Sequence, residues 1–267
     1  MSLRSTNALT VGAGEAARRL GVAPATIQRW ADQGLLHVER TAGGHRRIPV
    51  TELRRFISSS RPAQHDGPLA DWVKTLMSGD AWGISSALIA ARQRAPNWAT
   101  AADEVASAIG ELGRSWEAGE CAVYEEHLAS ELLRRAIARC ADDLPRRENG
   151  RRAALLSVEG ERHTLGLSLA ELVFAENGWR ALWIGEGPPE SELERIVEKH
   201  RPNVLAVSAS SACAPAAVVQ YQRALTKVAS RARVQMILAG SGQWTRRRGV
   251  HRVFTFEELN RLLVRLG

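Results

Sequence analysis

The sequence predicts a multidomain chain of α and α/β class: a small helical head with a basic hairpin, a four-helix bundle, and a doubly wound parallel sheet. Three observations carry this. Residues 1–57 hold nine arginines against four acids, which sets a basic unit apart at the N-terminus. Residues 69–142 contain apolar residues at helical spacing and no convincing strand. From about residue 150 onward, short apolar runs alternate with helical stretches, the pattern of a parallel sheet covered on both faces. The expected boundaries are 1–57 for the head, 58–68 for a linker, 69–147 for the bundle and 148–267 for the α/β domain.

Composition narrows the class of partner. Of 267 residues, 45% are hydrophobic and 24% charged, ordinary values for a globular chain. No apolar run approaches the ~20 residues a membrane span needs, and Met1 to Thr10 lacks the layout of a secretory signal. Cys121, Cys140 and Cys213 stand apart from one another, so neither a disulfide framework nor a zinc site is expected, and a cytoplasmic home is. The net charge of +7 calls for an anionic partner.

In the head, Gly14–Leu20 forms a helix with Ala16, Ala17 and Leu20 on its apolar side, and Gly21-Val22 turns the chain. Pro24 suits the first position of the next helix. That helix, Ala25–Gln33, exposes Thr26, Gln28 and Arg29 and buries Ile27 and Trp30. The arrangement is a helix-turn-helix, whose second helix enters the major groove of duplex DNA. Arg40 to Ile48 reads as two short strands closed by Gly43-Gly44, a basic wing. Arg40, His45, Arg46 and Arg47 on it are candidates for phosphate contacts, which position without reading bases. Thr51 caps a helix to Ile57. Residues 10–57, the Gly-Gly-His-Arg-Arg run above all, resemble the MerR-type winged helix-turn-helix.

The polar, Pro- and Gly-containing run 58–68 reads as a linker. Helices are expected over 69–78, 82–94, 100–116 and 120–141, an antiparallel bundle. Trp116 closes the third, and Glu126-His127 follows after nine intervening residues, inside the fourth. Two readings stand on spacing alone: an aromatic and a polar pair converging at one end of the bundle, or a core tryptophan with a surface pair.

In the α/β domain, strands are expected at 153–158, 180–185, 203–208, 234–239 and 250–255. Helices are expected over 165–176, 190–200, 214–230 and 256–266. Ligands bind such sheets beyond the carboxyl ends of the strands, at a topological switch point. Three segments lie there: Glu161-Arg-His163-Thr-Leu-Gly166, Ser208-Ala-Ser-Ser211 and Ala239-Gly-Ser-Gly242. A carboxylate two residues before a histidine can hold one ring nitrogen and leave the other for a metal, and the carboxylate then fixes the tautomer. Gly166 admits close approach to the backbone.

Glu161-x-His163-x-x-Gly166 resembles the Asp/Glu-x-His-x-x-Gly signature of cobalamin-binding domains. Together with Trp116-x9-Glu126-His127 and the phrase Glu125-Glu-His-Leu-Ala-Ser130, it resembles the double signature of CarH/LitR-like photoreceptor repressors, which use adenosylcobalamin. The resemblance implies a flavodoxin-like sheet with cofactor held between it and the bundle. His163 would be the lower axial ligand of cobalt. Trp116, Glu126 and His127 would lie on the upper side, and Ser208, Ser210 and Gly240 would contact the dimethylbenzimidazole tail.

Three departures stand out. Glu117 occupies the position where light-sensing members carry the histidine that captures cobalt after photolysis. Ala239-Gly240 replaces a pair of glycines, and residues 243–249, with Arg246-Arg-Arg248, leave little room for the usual helix. That arginine run is either a solvated surface or a set of extra DNA contacts.

The implied function is a DNA-binding transcriptional regulator, a repressor. It would bind adenosylcobalamin, form a homo-oligomer (a tetramer by resemblance) on a double-stranded operator, and release it in light. A light-independent sensor of cobalamin or another tetrapyrrole is the alternative. A corrinoid-carrying methyltransferase or mutase subunit fits less well, because a carrier needs no winged head, and no enzymatic activity is expected.

Overall fold

The computed structural model describes residues 10–20, 24–32, 36–41, 43–53, 67–145, 147 and 150–267. The chain divides into two compact units. One comprises residues 1–96 and 107–144, the other residues 97–106 and 145–267.

The first unit begins with the head. Helices α1 (Ala13–Leu20) and α2 (Pro24–Asp32) are followed by strands β2 (Glu39–Arg40) and β3 (Arg46–Pro49), as expected. A strand not read from the sequence, β1 (Thr10–Val11), adds to β3, giving an antiparallel order β1-β3-β2. The turn between β2 and β3 closes through Gly44, whose φ of 78° disfavours a side chain. Ala16, Ala17, Ile27, Leu36, Ile48 and Leu53 form the buried core of the head. Helix begins again at residue 50, one before the cap read at Thr51, and its continuation to Ile57 lies outside the described residues.

The expected linker also falls largely outside them. Its last two residues instead open helix α3 (Gly67–Met77). Helices α4 (Ala81–Arg94), α5 (Trp98–Glu117) and α6 (Val123–Asp143) follow. Asp80 caps α4 by accepting from the Trp82 N–H at 2.9 Å. The turn after α5 passes through Gly119 at φ 76°, and this delays the start of α6 to Val123, three residues past the expected 120. Ile84 and Leu88 of α4 and Leu133 and Ile137 of α6 are buried, and α3, α4 and α6 pack on one another. Among the described residues, no helix is long and apolar enough to cross a membrane.

The second unit is a five-stranded, wholly parallel sheet. Its strands are β4 (Arg152–Glu159), β5 (Arg180–Gly187), β6 (Val204–Ser208), β7 (Gln235–Ala239) and β8 (Val250–Arg252), in spatial order β5-β4-β6-β7-β8. This 2-1-3-4-5 order places the switch point between β4 and β6. Helices α7 (Leu165–Glu176), α8 (Leu193–His200), α9 (Pro215–Ala232) and α10 (Phe256–Leu266) complete the unit. Strand β4 is buried from Ala153 to Val158 and apolar there apart from Ser157, because both its faces are covered.

The expected last strand, 250–255, is shorter. It ends at Arg252, since the Thr255 hydroxyl accepts from the Glu258 N–H (3.1 Å) and caps α10. The first turns of α5 are built into this unit: the Asp103 carboxylate accepts from the N–H groups of Phe256 (2.8 Å) and Glu257 (3.1 Å).

Candidate functional site

At the carboxyl end of β4 the chain turns through Gly160, φ 80°, and delivers Glu161 into the interior, where it is 2% exposed. A buried carboxylate is costly unless its oxygens are satisfied. Each oxygen here has two partners. Oε1 accepts from the His163 backbone N–H at 2.7 Å and lies 2.6 Å from the His163 ring Nδ1. Oε2 accepts from the Ser210 N–H at 2.6 Å and from the Cys213 thiol at 3.0 Å.

Burial by itself would raise this carboxyl's pKa. The hydrogen bonds from Ser210, Cys213 and the His163 backbone outweigh it and hold the group down to about 2. Cys213 shifts the opposite way, to about 11, because burial and the neighbouring Glu161 charge both disfavour a thiolate. It is therefore a steady donor rather than a nucleophile.

The consequence for His163 is orientation. Its Nδ1 faces the carboxylate, with the Ser210 hydroxyl 3.4 Å away, so a neutral ring carries its proton there and keeps Nε2 as the lone-pair nitrogen. The side chain is otherwise well exposed, at 71%. This is an imidazole prepared to bind a metal or an acid from outside.

Next to it, within the α/β unit, a cavity of about 280 Å³ is lined by His163, Gly166, Ser208, Ser210, Gly240 and Phe254, among others. All five lining residues expected from the sequence meet there. The space beside Gly166 is open, since a Cβ there would meet no atom within 4 Å. Gly240 is held at φ 81°, and a Cβ on it would come within 2.3 Å of the Ala209 carbonyl oxygen. The Ser208 hydroxyl is buried and has no hydrogen-bond partner among the described residues.

Sequence reasoning missed Cys213 as a support of Glu161. Its three-residue distance from Ser210, on the loop after β6, was the available signal. It also missed Arg252, whose guanidinium donates to the Gly240 carbonyl and lies 4.6 Å from the centre of the exposed Phe254 ring.

The other expected residues lie in the first unit. Trp116 is 45% exposed at the end of α5, which removes the reading of a core tryptophan. Val123, Tyr124 and Leu128, near the start of α6, are also exposed apolar side chains. Glu126 accepts from the Ser130 hydroxyl at 2.7 Å and sits 3.7 Å from the ring of the exposed His127.

On the head, Gln28, Arg40, His45 and Arg47 are exposed, and Thr26 lies on α2. Arg29 pairs with Asp143 at 3.0 Å. Arg46 pairs with Asp32 and donates to the Gln28 carbonyl at 3.4 Å, so it also fastens the wing to α2.

Comparison with known proteins adds to this geometry. Residues 13–48 match the MerR family regulatory protein model, and residues 69–141 the B12 binding domain model. The HTH-type transcriptional repressor CarA of Myxococcus xanthus is 34% identical over 93 residues, 35% of this chain and 32% of the relative. CarH of the same organism is 31% identical over 107 residues, 40% of this chain and 36% of the relative. The chain thus spans about a third of the length of the curated relatives it matches. Among solved structures, the monomethylamine corrinoid protein of Methanosarcina barkeri superposes with a TM-score of 0.57 at 13% identity. That match covers 73% of this chain and 96% of the other, a likeness of fold. The chain therefore joins a MerR-type regulatory segment to a B12 binding domain and is distantly similar to the CarA and CarH repressors.

Proposed function

We propose that this protein is a DNA-binding transcriptional repressor that holds a cobalamin, in the adenosyl form, and gives up its operator in light. The observation that carries the proposal is the Glu161–His163 pair at the switch point, with its ring Nδ1 2.6 Å from the carboxylate. Carboxylate-backed histidines are typical metal ligands, and the backing raises the basicity of the free nitrogen.

The chain's own residues fit such a group. His163 would supply one nitrogen ligand to cobalt. The adjoining cavity is walled by small and apolar side chains, with Ser208 bringing a buried hydroxyl that has no partner among the described residues. A nucleotide-like tail needs that combination of room and a few polar contacts. When bound, adenosylcobalamin supplies a cobalt–carbon bond that light cleaves. Trp116, Glu126 and His127 take the remaining cofactor contacts in this proposal. Arg40, His45, Arg46 and Arg47 take phosphate contacts, and Thr26, Gln28 and Arg29 face the major groove. Association into an oligomer, and a cytoplasmic setting, belong to the same proposal.

Glu117 favours a second reading, since a carboxylate is a harder ligand than imidazole for the photolysed cobalt. In that case cobalamin occupancy, rather than light, sets DNA affinity. One experiment separates the two. Purified full-length protein mixed with adenosylcobalamin in the dark should elute coloured, with a spectrum in which a protein histidine replaces the tail base. His163→Ala should abolish that spectrum. Green light should then lower the affinity for promoter DNA. A spectral change without an affinity change selects the second reading, and a colourless eluate at micromolar mixing rejects both.

A further inference from the structure

The α/β unit carries a surface that the cofactor reading leaves unused. Helix α9 holds Arg223, Lys227 and Arg231 and no acid over its eighteen residues. The loop after β7, Gln243-Trp-Thr-Arg-Arg-Arg-Gly249, holds three arginines and no acid.

These two segments are fastened together. Gln222, 1% exposed, donates to the Thr245 carbonyl at 2.7 Å and accepts from the Thr245 N–H and hydroxyl, each at 2.9 Å. The exposed residues flanking this clamp are Arg223 on one side and Arg246 on the other. Trp244 fixes the loop further: its ring packs on the sheet's core, and its indole N–H donates to the Ala239 carbonyl at 2.9 Å. Gly249, at φ 78°, turns the chain back into β8.

Several exposed cations of this chain have an acid beside them, Arg231 of α9 among them. Arg114 pairs with Glu111, Arg134 and Arg135 with Glu131, and Arg231 with Glu194. Arg223, Lys227, Arg246, Arg247 and Arg248 are all exposed or partly so, and none forms an ion pair among the described residues. A solvated charged surface of the ordinary kind intersperses both signs. Here a buried glutamine, bonded three times to Thr245, and a half-buried tryptophan hold like charges in a fixed loop against their mutual repulsion. A preformed cationic loop loses little freedom on meeting a polyanion.

We propose that this face, residues Arg223, Lys227 and Arg246–Arg248, is a second DNA contact that grips the phosphate backbone without reading sequence. The proposal rests on the DNA-binding reading above, which is also what favours duplex DNA over another polyanion. Five cations release counterions as they neutralise phosphates, so they should steepen the salt dependence of binding.

The test uses the full chain and a fluorescent duplex of arbitrary sequence, with anisotropy titrations at several salt concentrations. The triple variant R246A/R247A/R248A should lower the slope of log affinity against log salt by about 2 to 3. It should leave the melting temperature and cobalamin uptake unchanged. R223A/K227A should lower the slope by about 1 to 2, and R47A on the wing should add its own loss independently. If the wild type binds duplex and the triple variant keeps its slope, this surface is wrong and the repressor proposal stands. If the wild type binds no duplex at all, the repressor proposal fails and this one with it. A triple variant that loses only binding to anionic phosphatidylglycerol vesicles, or only one operator sequence, also overturns it.

Discussion

Glu161 gathers four donors on two oxygens, and this fixes what a substitution there does. Glu161→Gln keeps the shape but turns one oxygen into an NH2 that faces other donors. Leaving buried donors unpaired costs about 1–3 kcal/mol each, so a loss of roughly 2–4 kcal/mol in denaturant unfolding is expected of the apo protein. The pH behaviour has a definite sign. The folded carboxyl sits near 2, below its ordinary 4.5, so its stabilisation is complete above 4.5 and disappears as pH falls toward 2. Wild-type unfolding free energy should fall across that window, and the Gln variant should fall less. Equal slopes for the two would remove Glu161 from the account. The Glu161–His163 pair was legible in the sequence because two residues of spacing suffice for it. Ser210 and Cys213 were not legible as its partners. They are 49 and 52 residues away, and only the adjacency of β4 and β6 brings them in.

Most elements were also legible, and the reason is local. Helix α7 was expected over 165–176 and spans those residues, because its apolar residues and the Asn177-Gly178 stop both lie in its own sequence. The ends that moved depend on turns: Gly119 before α6, and the Thr255 cap before α10. Strand β1 was invisible, being two residues long and paired with a partner 37 positions on. The clamp of Gln222 on Thr245 is likewise a tertiary fact. Among the described residues, two helices end on a non-glycine residue in the left-handed region, Arg201 at φ 46° after α8 and Arg233 at φ 57° after α9. An L side chain there costs about 1–2 kcal/mol. Arg201→Gly should therefore raise stability, by up to roughly 1 kcal/mol once the unfolded chain's extra freedom is counted. A fall in the denaturation midpoint would mean the arginine makes compensating contacts.

On the scale of the molecule, the head is seated on the helices that follow it. Trp82 at the start of α4 packs against the head's core, and Asp143 in the last turn of α6 holds Arg29 of α2. Under the proposed function, Asp143 would compete with DNA for Arg29, a cation of the candidate reading helix. A pair of this kind is worth about 0.2–1 kcal/mol. Asp143→Asn should accordingly tighten duplex binding by roughly two- to fivefold, measured by the same anisotropy titration at fixed salt. Unchanged or weaker binding would show that Arg29 does not leave its partner for DNA. Helical spacing offered no hint of this contact, since 114 residues separate the two side chains.

The two outermost strands of the parallel sheet meet neighbours differently from the inner three. On one flank β5 slips register against β4 between Trp183 and Gly185, where the backbone takes φ 80°. On the other, β8 is only three residues long. A kinked margin and a stub both make poor templates for a passing extended peptide. Neither margin of this sheet therefore invites edge-to-edge pairing with a second copy, and crowding should not knit such sheets into fibres.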